Sequence, residues 1–177
     1  MKKPLLFFLM LTIAVFSSAC INNAAIRQLN KIASSYLEEG DMDNAIARLE
    51  SSVDLDGNIY ETRYNLAVSY INVRKCHEAY EQIKVAKTLT KNEPAIYYLE
   101  GLANNCIAED VRKLLTSDDE EKKEKKDIPK LKKNYIKYLE DANTAYENYM
   151  QLAPVIDNKD EIVKKIAFNK EQIQIYR

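Results

Sequence analysis

A chain of 177 residues is long enough to bury one core, and with 3 Gly and 4 Pro it lacks the turn residues that an all-β fold requires. Apolar residues make up 46% and charged residues 30%, a mixture that favours packed helices over disorder. Basic and acidic side chains nearly cancel, 26 against 27, which argues against a polyanionic partner such as nucleic acid.

The first element is an address. Lys2 and Lys3 precede an apolar run from Leu5 to Phe16. At about 12 residues the run falls short of the ~20 that a bilayer-spanning helix needs, and it suits the apolar stretch of a secretory leader. Ser17, Ser18 and Ala19 then lead into Cys20. This order resembles the cleavage box of bacterial lipoproteins, with Ser17 where that box usually has Leu. The resemblance implies removal of residues 1–19, acylation of Cys20, and a short lipidated tether over 20–25. Ile21 in place of Asp implies sorting to the outer membrane, facing the periplasm. Acyl chains on Cys20 would hold the body of the protein at a membrane surface.

Beyond the leader the chain repeats itself. Ile32, Ala33, Tyr36, Ala45 and Leu49 return 34 residues later as Leu66, Ala67, Tyr70, Ala79 and Ile83. Small residues at Ala33, Ala67, Ala45 and Ala79 mark close approaches of two helices, and Tyr36 and Tyr70 fill the space between them one turn on. Gly40-Asp41 marks the first turn, with Asp41 or Asp43 available as the next N-cap. The second turn, Arg74-Lys75-Cys76-His77, has no Gly. A period of 34 with large, small and aromatic residues in this order resembles the tetratricopeptide repeat, in which each unit is an antiparallel pair of helices, A and B. The resemblance implies an all-α fold, a right-handed superhelical stack of about three such pairs plus a C-terminal capping helix. The units are read as 26–59, 60–93 and 94–155 within one domain, 26–177.

The third unit opens with Pro94 at a helix start and carries Gly101 at the position of Ala67, but Glu100 and Asn104 stand where Leu66 and Tyr70 stood. The motif resumes with Ala142, Tyr146, Tyr149, Leu152 and Pro154, which implies a charged insertion over about 105–133. Its centre, Ser117 to Asp127, is a mixed-charge run typical of a solvated segment. From Pro129 to Leu152 a helix about 35 Å long is expected, projecting beyond the stack and able to lie on Val111–Leu115. A final helix over about 159–176, with Ile162, Ile166 and Ile173 on one face, supplies the cap that a helix-pair stack requires.

Chemistry finds few footholds. His77 is the only histidine, and three Gly cannot build a phosphate-binding loop. No cluster of His, Cys and carboxylates is readable, so neither a metal, a cofactor nor an enzymatic activity is expected. Cys76 and Cys106 remain after Cys20. The resemblance brings the A–B turn of unit two near the end of helix A in unit three, which leaves either a disulfide or two separate buried thiols open in an oxidising compartment.

In the tetratricopeptide family helix-A side chains line the groove that holds peptide segments. The positions implied here are Arg27, Asn30 and Ser34, then Tyr64, Val68 and Asn72, then Tyr98, Leu102 and Asn105. Tyr64 and Tyr98 would form an aromatic ladder, or would pack on the cap or the insertion instead. Val68 stands where a carboxylate clamp would need a second Asn after Asn65, so a partner held by its C-terminal carboxylate is disfavoured. Two functions remain. The first is a non-enzymatic, lipid-anchored scaffold that recruits protein partners in the bacterial envelope, for assembly, secretion or pilus biogenesis. The second is a ligand-handling helper whose insertion closes the groove into a pocket for a small or lipid-like molecule. A sealed apolar cavity lined by Tyr64, Val68, Tyr98 and Leu102 would favour the second.

Overall fold

A computed structural model describes residues 22–117 and 127–177, and all the secondary structure in them is helical. Helix α1 covers 22–39, and it is followed by α2 (Met42–Leu55), α3 (Tyr60–Asn72), α4 (Cys76–Leu89), α5 (Pro94–Thr116), α6 (Ile128–Leu152) and α7 (Lys159–Tyr176). Residues 22–25, expected as part of a tether, are instead the first turn of α1, and Ile26, 3% exposed, anchors that turn to the core. The leader and Cys20 lie outside the described residues, as does most of the mixed-charge run. No described helix is long and apolar enough to cross a membrane.

The small residues of the repeat do what their spacing implies. Ala33, Ala67, Ala79 and Ala103 are at most 1% exposed and share one cluster with Ile46, Leu49, Leu66 and Ile83, so neighbouring helices close on methyl groups. The two A–B turns are built alike despite their different residues. Gly40 takes a left-handed conformation at φ 77°, and the Asp41 amide reaches back to the Tyr36 carbonyl at 2.8 Å. At the second turn Arg74 takes Gly40's place at φ 57°, and the Lys75 amide reaches the Tyr70 carbonyl, also at 2.8 Å. A non-glycine residue there carries a strain cost of about 1 kcal/mol. Arg74 gains in exchange an ion pair to Asp110 at 3.1 Å. Asp41 caps α2 by accepting from the Asn44 amide at 3.2 Å.

Unit three departs from the repeat because α5 and α6 are long. The segment read as an insertion, 105–133, divides between them: α5 continues to Thr116 and α6 begins at Ile128. The extra turns are joined by a second apolar cluster in which Tyr135 and Leu139 meet Ala108, Val111 and Leu115. Glu100 and Asn104, which break the repeat pattern, have local reasons. Lys87 of α4 donates to both carboxylate oxygens of Glu100, at 2.8 and 2.7 Å, and lies 4.8 Å from the centre of the Tyr97 ring. Asn104 is 1% exposed and donates to the Glu100 carbonyl at 3.0 Å. Gly101 is buried where α5 crosses the ring of Tyr146 on α6.

Helix α7 closes the stack with Ile162, Ile166 and Ile173, but its contact also contains a buried amide ladder. Asn169, 2% exposed, donates to Asn105 Oδ1 at 2.8 Å and to Asn143 Oδ1 at 2.9 Å. Asn105 in turn donates to the Tyr146 hydroxyl at 3.2 Å. A wholly apolar contact would let α7 slide, whereas these bonds are satisfied in one register only.

Candidate functional site

The nine side chains implied as a groove are all carried by the odd-numbered helices, but they do not form one continuous lining. Arg27, Ser34 and Asn72 are exposed, and the Ser34 hydroxyl donates to the carbonyl of Asn30 on its own helix. Asn30 is drawn into packing, donating to the Thr62 hydroxyl of α3 at 2.8 Å. Val68 and Leu102 are half-buried and rest on the main core. Asn105 belongs to the amide ladder beneath α7.

Tyr64 and Tyr98 do not pair with each other. Tyr64 lies against Tyr60, with ring centres 5.8 Å apart. Tyr98 lies against Tyr149 at 5.4 Å and Tyr146 at 6.2 Å, both on α6. Tyr149 links the two sets, because its hydroxyl lies close enough to act electrostatically on Tyr64. The result is a cluster of half-buried rings, Tyr60, Tyr64, Tyr98 and Tyr149, contributed by α3, α5 and the last turns of α6. Burial raises the Tyr64 phenol, with Glu93 adding to it, and burial with Glu93 pushes Tyr60 up to about 12. These hydroxyls therefore stay neutral donors across the physiological range. The sequence marks Tyr149 only as an end-of-repeat residue, and the packing of the last turn of α6 on the start of α5 is what brings it to Tyr98.

Cys76 and Cys106 are joined by a disulfide, with their Cα atoms 5.7 Å apart. It fastens the start of α4 to the middle of α5. Asp110 lies one turn beyond Cys106, and its carboxylate, 3.7 Å from the Cys76 sulfur, brings three donor atoms within 4.8 Å of one another. That trio is poorly suited to a metal ion, because the sulfurs are spent on each other and Asp110 is already paired with Arg74 and with Lys113 at 3.2 Å. His77 is exposed, 6.4 Å from the Tyr138 ring centre, and is not part of the trio.

Burial pushes the Asp110 carboxyl up, but its bonds to Arg74 and Lys113 outweigh that and hold it below its usual value of 3.8. A carboxylate depressed on folding stabilises the fold above its unfolded pKa and loses that contribution as the pH falls through the folded one. The gap in melting temperature between the wild type and Asp110→Asn is therefore expected to be largest near pH 7 and to close below about pH 3. Thermal unfolding followed by circular dichroism across that interval checks it, and a gap independent of pH would contradict the assignment.

A second feature lies at the end of the stack. Helices α5, α6 and α7 enclose a cleft of about 410 Å³ with Asn105 and Asn169 in its lining, Ala108, Tyr135 and Leu139 as apolar walls, and Phe168 of α7. Phe168 is 55% exposed although it is a large apolar ring.

No family model matches the chain, and no curated protein matches it. Solved structures do. The first tetratricopeptide domain of Spaghetti (RPAP3), bound to the HSP90 peptide SRMEEVD, superposes with a TM-score of 0.62 at 17% identity, covering 85% of this chain and 94% of that one. The first such domain of human RPAP3 gives a TM-score of 0.60 at 17% identity, over 85% and 94% of the two chains. The second domain of human RPAP3, in complex with the HSP70 peptide SGPTIEEVD, gives 0.60 at 15% identity, over 84% and 98%. The likeness is one of fold: this chain is an all-α superhelical stack of tetratricopeptide-like helix pairs.

Proposed function

We propose that this tetratricopeptide-like stack is a non-enzymatic scaffold that holds a peptide segment of a partner protein, working in the bacterial cell envelope from a lipid anchor on Cys20. The observation that carries the docking reading is the cluster of Tyr60, Tyr64, Tyr98 and Tyr149, four half-buried rings, of which Tyr60 and Tyr64 keep their hydroxyls as protonated donors. Such rings offer apolar area and a hydrogen bond together, at little cost in side-chain entropy. Two domains of the same fold are solved with bound peptides. Envelope placement rests on the leader, with Lys2, Lys3, the apolar run and the small residues before Cys20. The Cys76–Cys106 disulfide agrees with export to an oxidising compartment. The pocket alternative finds less support, because Val68 and Leu102 rest on the core rather than facing each other across a chamber.

The test is cross-linking in cells that make the protein, with the linked positions mapped by mass spectrometry. Partner peptides linked beside Tyr64 and Tyr149 are expected. They should fall by about ten-fold in Tyr64→Ala with Tyr98→Ala, at unchanged yield of folded protein. The Cys20→Ser chain should lose acyl labelling and leave the membrane fraction. Unchanged cross-links would reject the docking face, and membrane retention without acylation would reject the anchor.

A further inference from the structure

We infer that the cleft between α5, α6 and α7 is a peptide-docking subsite selective for an apolar side chain flanked by a carboxylate. The inference rests on the scaffold reading above and assigns the chemistry recognised at the far end of the stack.

Charge supplies the first argument. Around the cleft, Arg112 is committed to Glu109 through two bonds of 2.9 and 2.8 Å, and Lys165 is committed to Glu161 at 3.1 Å. Lys164 also lines the cleft, yet among the described residues it makes neither an ion pair nor a hydrogen bond. The uncompensated charge at this mouth is therefore positive, and it calls for an anion. Shape supplies the second. Phe168 follows Lys164 by four residues, so the two share one face of α7. The ring is 55% exposed beside walls formed by Ala108, Tyr135 and Leu139. A bulky aliphatic side chain placed there would cover Phe168 and remove apolar surface from water.

The third argument is the amide ladder. Asn169 is 2% exposed and lines the cleft. Its Nδ2 is doubly engaged, with Asn105 and Asn143, but among the described residues no donor reaches its Oδ1. An asparagine amide carries the same donor and acceptor pair as a peptide unit, so the open oxygen is matched by a backbone N–H. A fatty anion would satisfy Lys164 and the walls but would leave that acceptor unmet. A peptide satisfies all three groups.

Two fluorescein-labelled octapeptides provide the probe, one alternating leucine with aspartate and the other leucine with lysine, titrated by fluorescence anisotropy against the full-length chain in detergent. The acidic peptide is expected to bind about ten-fold more tightly than the basic one. Lys164→Glu should abolish or invert that preference, and Phe168→Ser should weaken the acidic peptide by about ten-fold. Both residues are exposed, so neither variant threatens folding. Equal binding of the two peptides, binding of neither, or a preference that survives Lys164→Glu overturns the assignment. Competitive displacement by laurate at lower concentration than by the unlabelled acidic peptide also overturns it, in favour of a lipid anion. Loss of binding in Tyr64→Ala with none in Lys164→Glu removes the subsite and leaves the scaffold reading standing. Absence of cross-links at the tyrosine cluster while the acidic preference persists does the reverse.

Discussion

Gly101→Leu is expected to be among the most damaging single substitutions in the chain, costing on the order of 4 kcal/mol and abolishing cooperative unfolding of the α5–α6 pair. A Cβ built at Gly101 meets the Tyr146 ring, with Cδ1 at 2.5 Å, Cζ at 2.8 Å and Cε1 closer still. The ring has no room to yield, since Tyr146 is 0% exposed, its hydroxyl accepts from Asn105, and Tyr98 packs against it. Gly101→Ala gives the sharper test, because two effects oppose each other there. In an exposed helix interior the change would stabilise by about 1 kcal/mol through backbone entropy. Here overpacking of about 1–3 kcal/mol outweighs it, so a net loss of about 1–2 kcal/mol is expected. Urea unfolding of the two variants measures this, with Ala47→Leu on an exposed face of α2 as the neutral control. Adding Tyr146→Leu should recover part of the Gly101→Ala loss, which a double-mutant cycle would read as coupling. A stabilised Gly101→Ala would mean that α5 and α6 do not cross at this residue.

Removing the disulfide, as Cys76→Ala with Cys106→Ala, is expected to cost about 3–4 kcal/mol, the loop-entropy value for half-cystines about 30 residues apart. The closed loop contains all of α4 and the first half of α5. The junction keeps other ties, chiefly Lys87 with Glu100 and Arg74 with Asp110, so the double variant should fold and melt early rather than fail to fold. A dithiol reductant should lower the urea midpoint of the wild type by the same amount and leave the variant unmoved. A wild-type midpoint indifferent to reductant would show that the pair is not bonded in solution. Burial of Cys76 at 3% exposure, against half-buried Cys106, makes Cys106 the sulfur that an incoming thiolate would meet first.

The docking chemistry was only partly legible in the sequence, and particular residues show why. Tyr64 and Tyr98 stand out by their offset. Tyr60, the ring partner of Tyr64, lies one turn before it on α3, whereas Tyr149, the partner of Tyr98, comes from the antiparallel packing of the last turn of α6 on the start of α5. Asn105 was marked as a groove residue and is one rung of a ladder to Asn169. Lys164 and Phe168 carry no signal of their own: a Lys on a charged helix and one apolar residue off its stripe are ordinary features of a cap. They acquire meaning only where α7 leaves a gap against Ala108 and Leu139. The second turn has no Gly in the sequence, yet Arg74 takes the same left-handed conformation there as Gly40 does in the first.

The amino-acid sequence by itself pointed to helices through its composition, and the recurrence of small, large and aromatic residues every 34 positions carried the resemblance that implies helix pairs touching where the methyl groups are. It also carried the break at Glu100 and Asn104, as a departure from that recurrence. Only the tertiary structure decided which side chains lie open beside one another. Local spacing places a residue on a face of its own helix, whereas the tyrosine cluster and the Cys76–Cys106 bond depend on how α3, α4, α5 and α6 pack on one another, and the cleft depends on how far α5 and α6 extend and where α7 settles against them. Those positions come from long-range burial and from a few hydrogen bonds between residues as far apart as Asn105 and Asn169, and such contacts leave no periodic trace in the chain.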